Sequence, residues 1–220
     1  MKEWKIGIIG VGMVGTPLKR WFEESGHKRK SDLFLYDIDP KKNYFDDINK
    51  ADIIFIAVPT PRLTRDGDCD LSAAYNALMR INVNLPKVIV IKSTVPPGTT
   101  EYFQSLRFRS KLLFNPEFLT EKRAWEDFTR PDRQIVGFME RSIDAAHLVL
   151  SLLPKAPFMS PWGLDTYKPV RITATEAEII KYGGNIHFVR KVNFANMLNL
   201  ICERLSVNYE NVRRGMAADF

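Results

Sequence analysis

The 220-residue sequence has only two cysteines and three histidines. Cys69 and Cys202 cannot build a disulfide framework or a four-cysteine zinc site. His27, His147 and His187 share no metal-ligand spacing with other candidates, so no metal site is expected. No apolar run approaches the roughly 20 residues needed to cross a bilayer. The chain does not open on a signal-peptide core with a small-residue cleavage site. The expectation is a cytoplasmic protein with no membrane contact. Internal repeats and low-complexity segments are lacking as well. So is a clustered basic surface: the net charge is +6, but Lys and Arg are scattered. The densest run, His27-Lys28-Arg29-Lys30, falls in a connection between a predicted helix and a strand, so nucleic acid is not an expected partner. What remains is a globular composition, 45% hydrophobic and 26% charged, in a length that suits one large domain or one domain plus part of a second.

Hydrophobic periodicity predicts alternating strands and helices. Strands are expected over residues 5–9, 33–36, 52–58, 87–92, 111–114 and 134–138. Most read as near-continuous apolar runs, as strands buried on both faces of a parallel sheet do. Between them fall a helix carrying Val14, Leu18, Trp21 and Phe22 that stops at Gly26, and a helix over 71–81 after the polar loop 66–70. Another helix begins near Thr99, and one over 141–153 is stopped by Pro154. The succession predicts a doubly wound α/β domain over residues 1–155. A connection rich in Pro and Gly follows over 156–172. From 173 to 205 apolar residues recur at three- and four-residue spacing, through Ile179, Ile180, Phe188, Val189, Phe194, Leu198 and Ile201. Such a helix, opening the last segment 173–220, needs a surface to bury against, either the domain's flank or a second copy of the chain.

Gly10-Val11-Gly12-Met13-Val14-Gly15 stands between the first strand and the first helix. In this context the first glycine permits the tight turn, the second lets the backbone approach a pyrophosphate, and the third lets helix and sheet pack closely. The phosphates would sit at the helix N-terminus, where unpaired N–H groups and the macrodipole attract anions. Asp37 follows at the end of strand two, where a carboxylate hydrogen-bonds a ribose 2′-OH and disfavours a 2′-phosphate. The pattern therefore points to NAD rather than NADP, although Lys41 and Lys42 stand close enough to soften that exclusion.

Three more strand ends carry polar, proline-stiffened loops: Val58-Pro59-Thr60-Pro61, Ser93-Thr94 with the residues up to Thr99, and Asn115-Pro116-Glu117-Phe118-Leu119-Thr120-Glu121. Each alone reads equally well as turn chemistry. Three together above one dinucleotide fold point to a binding crevice. On the long helix, Lys181 and Asn185 are one turn apart and share a face. An ammonium beside a carboxamide suits a developing oxyanion, and a desolvated lysine can also accept a proton. From spacing alone, a solvated lysine on a long helix is the commoner reading. Gly183 and Gly184 each cost about 1 kcal/mol relative to Ala within a helix, which suggests close approach by a ligand or a packed chain. Cys202 falls on the helix's apolar face, and Cys69 among aspartates, so neither reads as a nucleophile.

With these residues in place, the chain resembles the UDP-glucose/GDP-mannose 6-dehydrogenase family. The resemblance runs from Ile6 to about Gly215, through GVGMVG (10–15), Asp37, IAVPTP (56–61), DLSAAYNAL (70–78), STVPPGTT (93–100), NPEFLTE (115–121), FTRPDRQIVG (128–137), TEAEIIKYGGN (175–185) and VNFANMLNLICE (192–203). It implies a Rossmann-type NAD-binding domain followed by the long helix of a central dimerisation domain. It implies NAD as cofactor and UDP-glucose, or a related nucleotide sugar, as the substrate whose C6 alcohol is oxidised to the carboxylate. By motif, NAD would contact Gly10, Gly12, Met13, Val14, Gly15, Asp37, Lys42, Val58, Pro59, Thr60, Pro61, Ser93, Thr94 and Glu121. Glu117 would be the acid/base, with Thr94 positioning water. Lys181 and Asn185 would stabilise the C6 oxygen, and Phe118, Leu119 and Thr120 would contact the sugar nucleotide. A homodimer through the 173–205 helix is expected.

The family's nucleophilic cysteine, in an FGGSCFPKD-like motif after the central helix, has no counterpart before the chain ends at Asp219-Phe220. Without a thiol the second oxidation has no covalent route, so the expectation is a fragment of a longer enzyme or a shortened relative. Two other readings stay open. One is a two-electron 3-hydroxyacid or 6-phosphogluconate-type dehydrogenase using Lys181 and Asn185. The other is a non-catalytic NAD-binding module.

Overall fold

The structure is a computed structural model that describes residues 4–63, 68–107, 109–161 and 170–218. Part of the polar loop 66–70, residues 162–169 of the Pro- and Gly-rich connection and the last two residues lie outside the described residues. Contacts divide the chain into two compact units, 1–181 and 182–220.

The first unit is built on five short parallel strands: β1 (Ile6–Ile9), β2 (Leu33–Tyr36), β3 (Ile53–Ile56), β4 (Val88–Ile91) and β5 (Lys111–Phe114), in the order β2-β1-β3-β4-β5. Successive side chains point to opposite faces of a strand, and here both faces are covered. Ile54 and Ile56 of β3, with Ile89, Ile91, Leu112 and Phe114, pack under α2 (Ser72–Arg80) and α3 (Thr99–Leu106). Ile53 and Phe55, with Ile6, Ile8, Leu33 and Leu35, pack against α1 (Gly15–Glu24) and α5 (Ile143–Leu152). This two-sided burial is why the strands read as unbroken apolar runs rather than alternating ones. Trp21 ties α1 to α5 by donating from its indole N–H to the Leu152 carbonyl at 2.8 Å. As expected, α1 ends beside a glycine: Gly26 adopts φ +95°, which costs a glycine little.

The expected sixth strand is shorter than its periodicity suggested. Among the described residues, β6 (Arg133–Ile135) pairs only with β7 (Phe158–Ser160). Beyond Ile135 the chain turns to the edge of the main sheet, where Gly137 pairs antiparallel with Phe114. The α5 helix begins at Ile143 rather than at residue 141, because a short 3-10 turn over Glu140–Ser142 precedes it. Between β5 and β6 lies the short helix α4 (Ala124–Thr129), whose Phe128 joins the core against Trp21 and Trp125.

Helix α6 (Ala174–Arg204) is the long helix anticipated from the three-four spacing. Its first turns belong to the first unit, where Ala174 and Ala177 press on Gly137; a Cβ on Gly137 would come within 2.7 Å of the Ala177 methyl. The second unit comprises the rest of α6 and α7 (Tyr209–Ala217). Ser206, with φ 54°, ends α6, and the Val207 N–H returns to the Cys202 carbonyl. The Asn208 side chain then caps α7 by accepting from the Asn211 N–H. Glu210 is held down to about 2 by hydrogen bonds from Arg213 and Arg214. Ile186, Phe188, Val189, Phe194, Met197 and Leu200 are exposed in the single chain, whereas Cys202 is buried. A Cβ on Gly183 would meet nothing within 4 Å among the described residues of this chain.

Candidate functional site

Carboxyl ends of the five strands rim a cavity of about 820 Å3, large enough for a cofactor-sized ligand. Its walls run from Asp37 after β2 to Glu117 after β5, four strand spacings or about 19 Å. All of its lining residues come from the first unit.

At the β1–α1 turn each glycine of the motif has a distinct steric environment. Gly10 has φ +89°, and a Cβ there would sit 2.4 Å from the Ala57 carbonyl oxygen. A Cβ on Gly15 would lie 1.9 Å from the Gly10 carbonyl oxygen, so that glycine permits the helix to start against the turn. Gly12 faces open space, leaving its backbone free for a ligand to approach. No side chain caps α1, and its first turn holds no acidic residue, so its N-terminal N–H groups and positive dipole end remain for an anion. Asp37 closes this end. Its carboxylate accepts from the Val11 N–H at 2.7 Å, the Asp39 N–H at 2.9 Å and the Lys42 ammonium at 2.8 Å. Burial alone would raise its pKa, but the Lys42, Asp39 and Val11 hydrogen bonds outweigh that and hold it below the ordinary carboxylate value. The open Gly12 backbone, the uncapped helix and the ionised Asp37 fit a dinucleotide's pyrophosphate and ribose.

The later loops are stitched to one another across the rim. The Val58 N–H donates to the Ser93 hydroxyl at 3.0 Å, and that hydroxyl donates to the Val58 carbonyl at 2.7 Å. The Thr60 hydroxyl donates to the Thr94 carbonyl at 2.6 Å. Val58, Pro59, Thr60, Ser93 and Thr94 all line the cavity beside Met13 and Val14.

At the far end Lys181, half-buried on α6, donates to the Glu117 carbonyl at 2.6 Å. Burial pushes its amine below the ordinary lysine value; Glu117 opposes the shift, while Arg133 and Lys92 add to it. The Glu117 carboxylate is paired with Lys92 at 3.0 Å and also accepts from the Phe118 N–H. Lys92 has a side chain only 1% exposed and further donates to Asn115 Oδ1 at 2.6 Å. The Asn115 amide group is already committed to Gln134 and the Ile135 carbonyl, so its oxygen must face Lys92.

The structure thus gathers Gly10, Gly12, Met13, Val14, Asp37, Lys42, Val58, Pro59, Thr60, Ser93, Thr94, Glu117, Leu119 and Lys181 around one cavity. Other anticipated residues lie off its wall. Gly15 acts beneath the turn, and Pro61 and Glu121 do not reach the lining. The Thr120 hydroxyl is turned to Asp127, and the Phe118 ring lies under the Arg133 guanidinium at 3.8 Å. Asn185 is exposed and belongs to the second unit. Sequence reasoning passed over Lys92 as the polar end of an apolar strand. It also passed over Arg80, which lies 3.8 Å above the Tyr36 ring on the Asp37 side. A lone charge closing a fully buried strand was the available signal for Lys92; helical spacing offered none for Arg80. Among the described residues no group of His, Cys, Asp and Glu is placed to hold a metal ion, and no helix is long and apolar enough to cross a membrane.

A parallel doubly wound sheet with a glycine turn, an acidic β2 end and polar loops at the other strand ends defines the class: a dinucleotide-binding dehydrogenase domain. Comparison with known proteins narrows it. Residues 37–150 match the UDP-glucose/GDP-mannose dehydrogenase family, NAD binding domain, and residues 175–220 match that family's central domain. The chain belongs to the UDP-glucose/GDP-mannose dehydrogenase family, and NAD is the cofactor of the domain it carries. It is 32% identical to the UDP-glucose 6-dehydrogenase of Rhizobium meliloti over 98% of this chain and 56% of that protein. It is 30% identical to the UDP-glucose 6-dehydrogenase of Pseudomonas aeruginosa over 98% and 54%. A UDP-glucose dehydrogenase from Pyrobaculum islandicum superposes with a TM-score of 0.79 at 26% identity, covering 98% of this chain and 57% of that one. The chain spans about half the length of the curated relatives it matches. A 3-hydroxyisobutyrate dehydrogenase from Mycobacterium tuberculosis, at 16% identity and a TM-score of 0.64, shares the fold alone.

Proposed function

We propose that this chain forms the cofactor-binding part of a cytoplasmic NAD-dependent nucleotide-sugar 6-dehydrogenase that oxidises the C6 alcohol of UDP-glucose or a close relative. The observation that carries the reading is a single cavity with the dinucleotide turn and Asp37 at one end and Lys181 beside Glu117 at the other. NAD, when bound, supplies the hydride acceptor. The chain's own residues do the rest. Gly12 and the α1 N-terminus hold the pyrophosphate, Asp37 with Lys42 holds the adenosine ribose, and the Val58–Thr60 and Ser93-Thr94 loops enclose the cofactor from the other side.

The Lys181 amine sits where burial favours its neutral form, so it can take the proton of an alcohol and then, as ammonium, steady the resulting oxygen. Asn185, four residues further along α6, is assigned to the same oxygen on its spacing alone. Glu117, with Thr94 beside the cavity, is the base for the later water step. The backbone of Phe118 to Thr120 contacts the sugar nucleotide. A homodimer through the 173–205 helix is supported by the apolar side chains that α6 leaves exposed in one chain.

Calorimetric titration with NAD and NADP tests the cofactor site: one NAD site is expected, with NADP weaker. Thermal-shift titration in saturating NAD then compares UDP-glucose, GDP-mannose, 3-hydroxyisobutyrate and 6-phosphogluconate. Stabilisation by a nucleotide sugar and by neither hydroxyacid is expected. No uptake of NAD overturns the reading, and a reversed ranking replaces the substrate class. Light scattering tests the dimer.

A further inference from the structure

The first turns of α6 carry another charged side chain that has no part in the chemistry above. Glu178 is 0% exposed. One carboxylate oxygen accepts from the Gly98 N–H at 2.6 Å, and the other accepts from the Thr100 N–H at 2.8 Å and the Thr100 hydroxyl at 2.6 Å. These donors open α3, whose N-cap is Gly98 at φ +89°, a residue with no side chain to cap it. A helix N-terminus leaves several N–H groups unpaired and carries the positive end of the dipole. Glu178, 80 residues downstream, therefore caps α3 from another helix.

Three donors on two oxygens hold the carboxylate from several directions at once. Burial pushes its pKa up, and the Thr100 and Gly98 hydrogen bonds resist that rise. The neighbouring acids do different work. Glu176 caps α6 locally through Thr173, and Glu101 accepts from the Thr175 hydroxyl at the surface. One turn before Glu178 on α6, Ala174, together with Ala177, is pressed on Gly137, where no bulkier residue fits. The first turns of α6 are thus held by both α3 and the β6 exit. Lys181 lies three residues beyond Glu178, on the same side of the helix. Its amine meets the Glu117 carbonyl, with Glu117, Lys92 and Arg133 as the charges around it.

We propose that Glu178 is a positioning residue for Lys181: by docking α6 on the open end of α3, it fixes where the Lys181 amine enters the cavity. The inference deepens the reading of Lys181 given above and rests on it for its functional consequence. A carboxylate suits the task because its two oxygens accept from the Gly98 N–H, the Thr100 N–H and the Thr100 hydroxyl together. A Gln at that position would turn an NH2 group toward N–H donors and leave at least one of them unpaired.

The experiment follows the Lys181 amine by 13C NMR of the reductively dimethylated chain, its signal assigned by loss in Lys181→Arg. In the wild type its midpoint is expected below that of the exposed lysines. In Glu178→Gln the midpoint is expected to rise by about one pH unit, toward the ordinary lysine value, as the amine leaves its desolvated place. Thr100→Val, which removes only the hydroxyl donor, is expected to move it the same way by less. NAD affinity, read in parallel by calorimetry, is expected to stay within about threefold, because the glycine turn and Asp37 are untouched. A wild-type Lys181 signal that moves in neither folded variant overturns the proposal. If Glu178→Gln does not fold, Thr100→Val decides: a shift supports the positioning role, and no shift or loss of folding overturns it. Failure of the wild type to bind NAD would strike the cofactor reading and leave this test standing.

Discussion

Alanine at Gly12 and alanine at Gly15 separate ligand binding from folding within one six-residue turn. A Cβ at Gly15 would lie 1.9 Å from the Gly10 carbonyl oxygen, well inside the 3.0 Å that Cβ atoms keep, and the obstacle is backbone. The gain of about 1 kcal/mol from placing Ala in a helix is smaller than the cost of forcing turn and helix apart, roughly 1–3 kcal/mol for an overpacked site and more where backbone must move. Gly15→Ala should therefore lose stability, by about 2–4 °C in midpoint per kcal/mol at this chain length. At Gly12 a methyl group meets nothing within 4 Å and the backbone has no positive φ. Gly12→Ala should keep its stability, or gain about 0.4–1 kcal/mol through a less flexible unfolded chain. The methyl would occupy the space a pyrophosphate needs, so NAD affinity should fall at least tenfold, about 1.4 kcal/mol. Thermal unfolding monitored by circular dichroism gives the first quantity and calorimetry with NAD the second. Wild-type affinity in Gly12→Ala, or equal destabilisation by the two substitutions, would refute the assignment of roles within the turn.

Acid should weaken the first unit through Asp37 and Asp46. Burial raises both carboxyls, but hydrogen bonds from Lys42, Asp39 and Val11 to the first, and from Arg29 and Leu35 to the second, bring both below the ordinary value. Depressed folded pKa values mean that their stabilisation is complete above about pH 4 and is lost as pH falls through the folded values. Urea unfolding between pH 6 and pH 3 should show a steeper decline in the wild type than in Asp46→Asn, and equal slopes would contradict the argument. Asp37→Ala should narrow the preference for NAD over NADP; calorimetry with both nucleotides, giving an unchanged ratio, would remove Asp37 from the ribose site. Phe22→Ala, at a buried ring tilted against Phe55 with centroids 5.7 Å apart, should cost about 3–5 kcal/mol in chemical unfolding. A loss below 1 kcal/mol would mean that the α1 face is not the tight core seen here.

The alternation of buried strands and helices was legible because both sheet faces are covered, which leaves unbroken apolar runs such as 53–56 and 88–91. The glycine turn and Asp37 were legible because their chemistry is local: three glycines and one acid at set offsets satisfy steric demands within a single β-α-β unit. The 134–138 strand was read too long because periodicity reports burial, and Gly137 is buried by pairing with another strand rather than by extending β6.

Local chemistry thus lies in the order of residues: a dinucleotide turn, an acid after β2, and a lysine on a long helix with polar loops to face it. Which of these meet was decided by the tertiary fold. Lys181 reaches Glu117 across 64 residues, and Glu178 reaches α3 across 80. Lys92 hides its charge between Asn115 and Glu117. No spacing rule encodes those partners, because a buried ion takes whatever counter-charge and hydrogen-bond acceptors the packed core brings within about 3 Å.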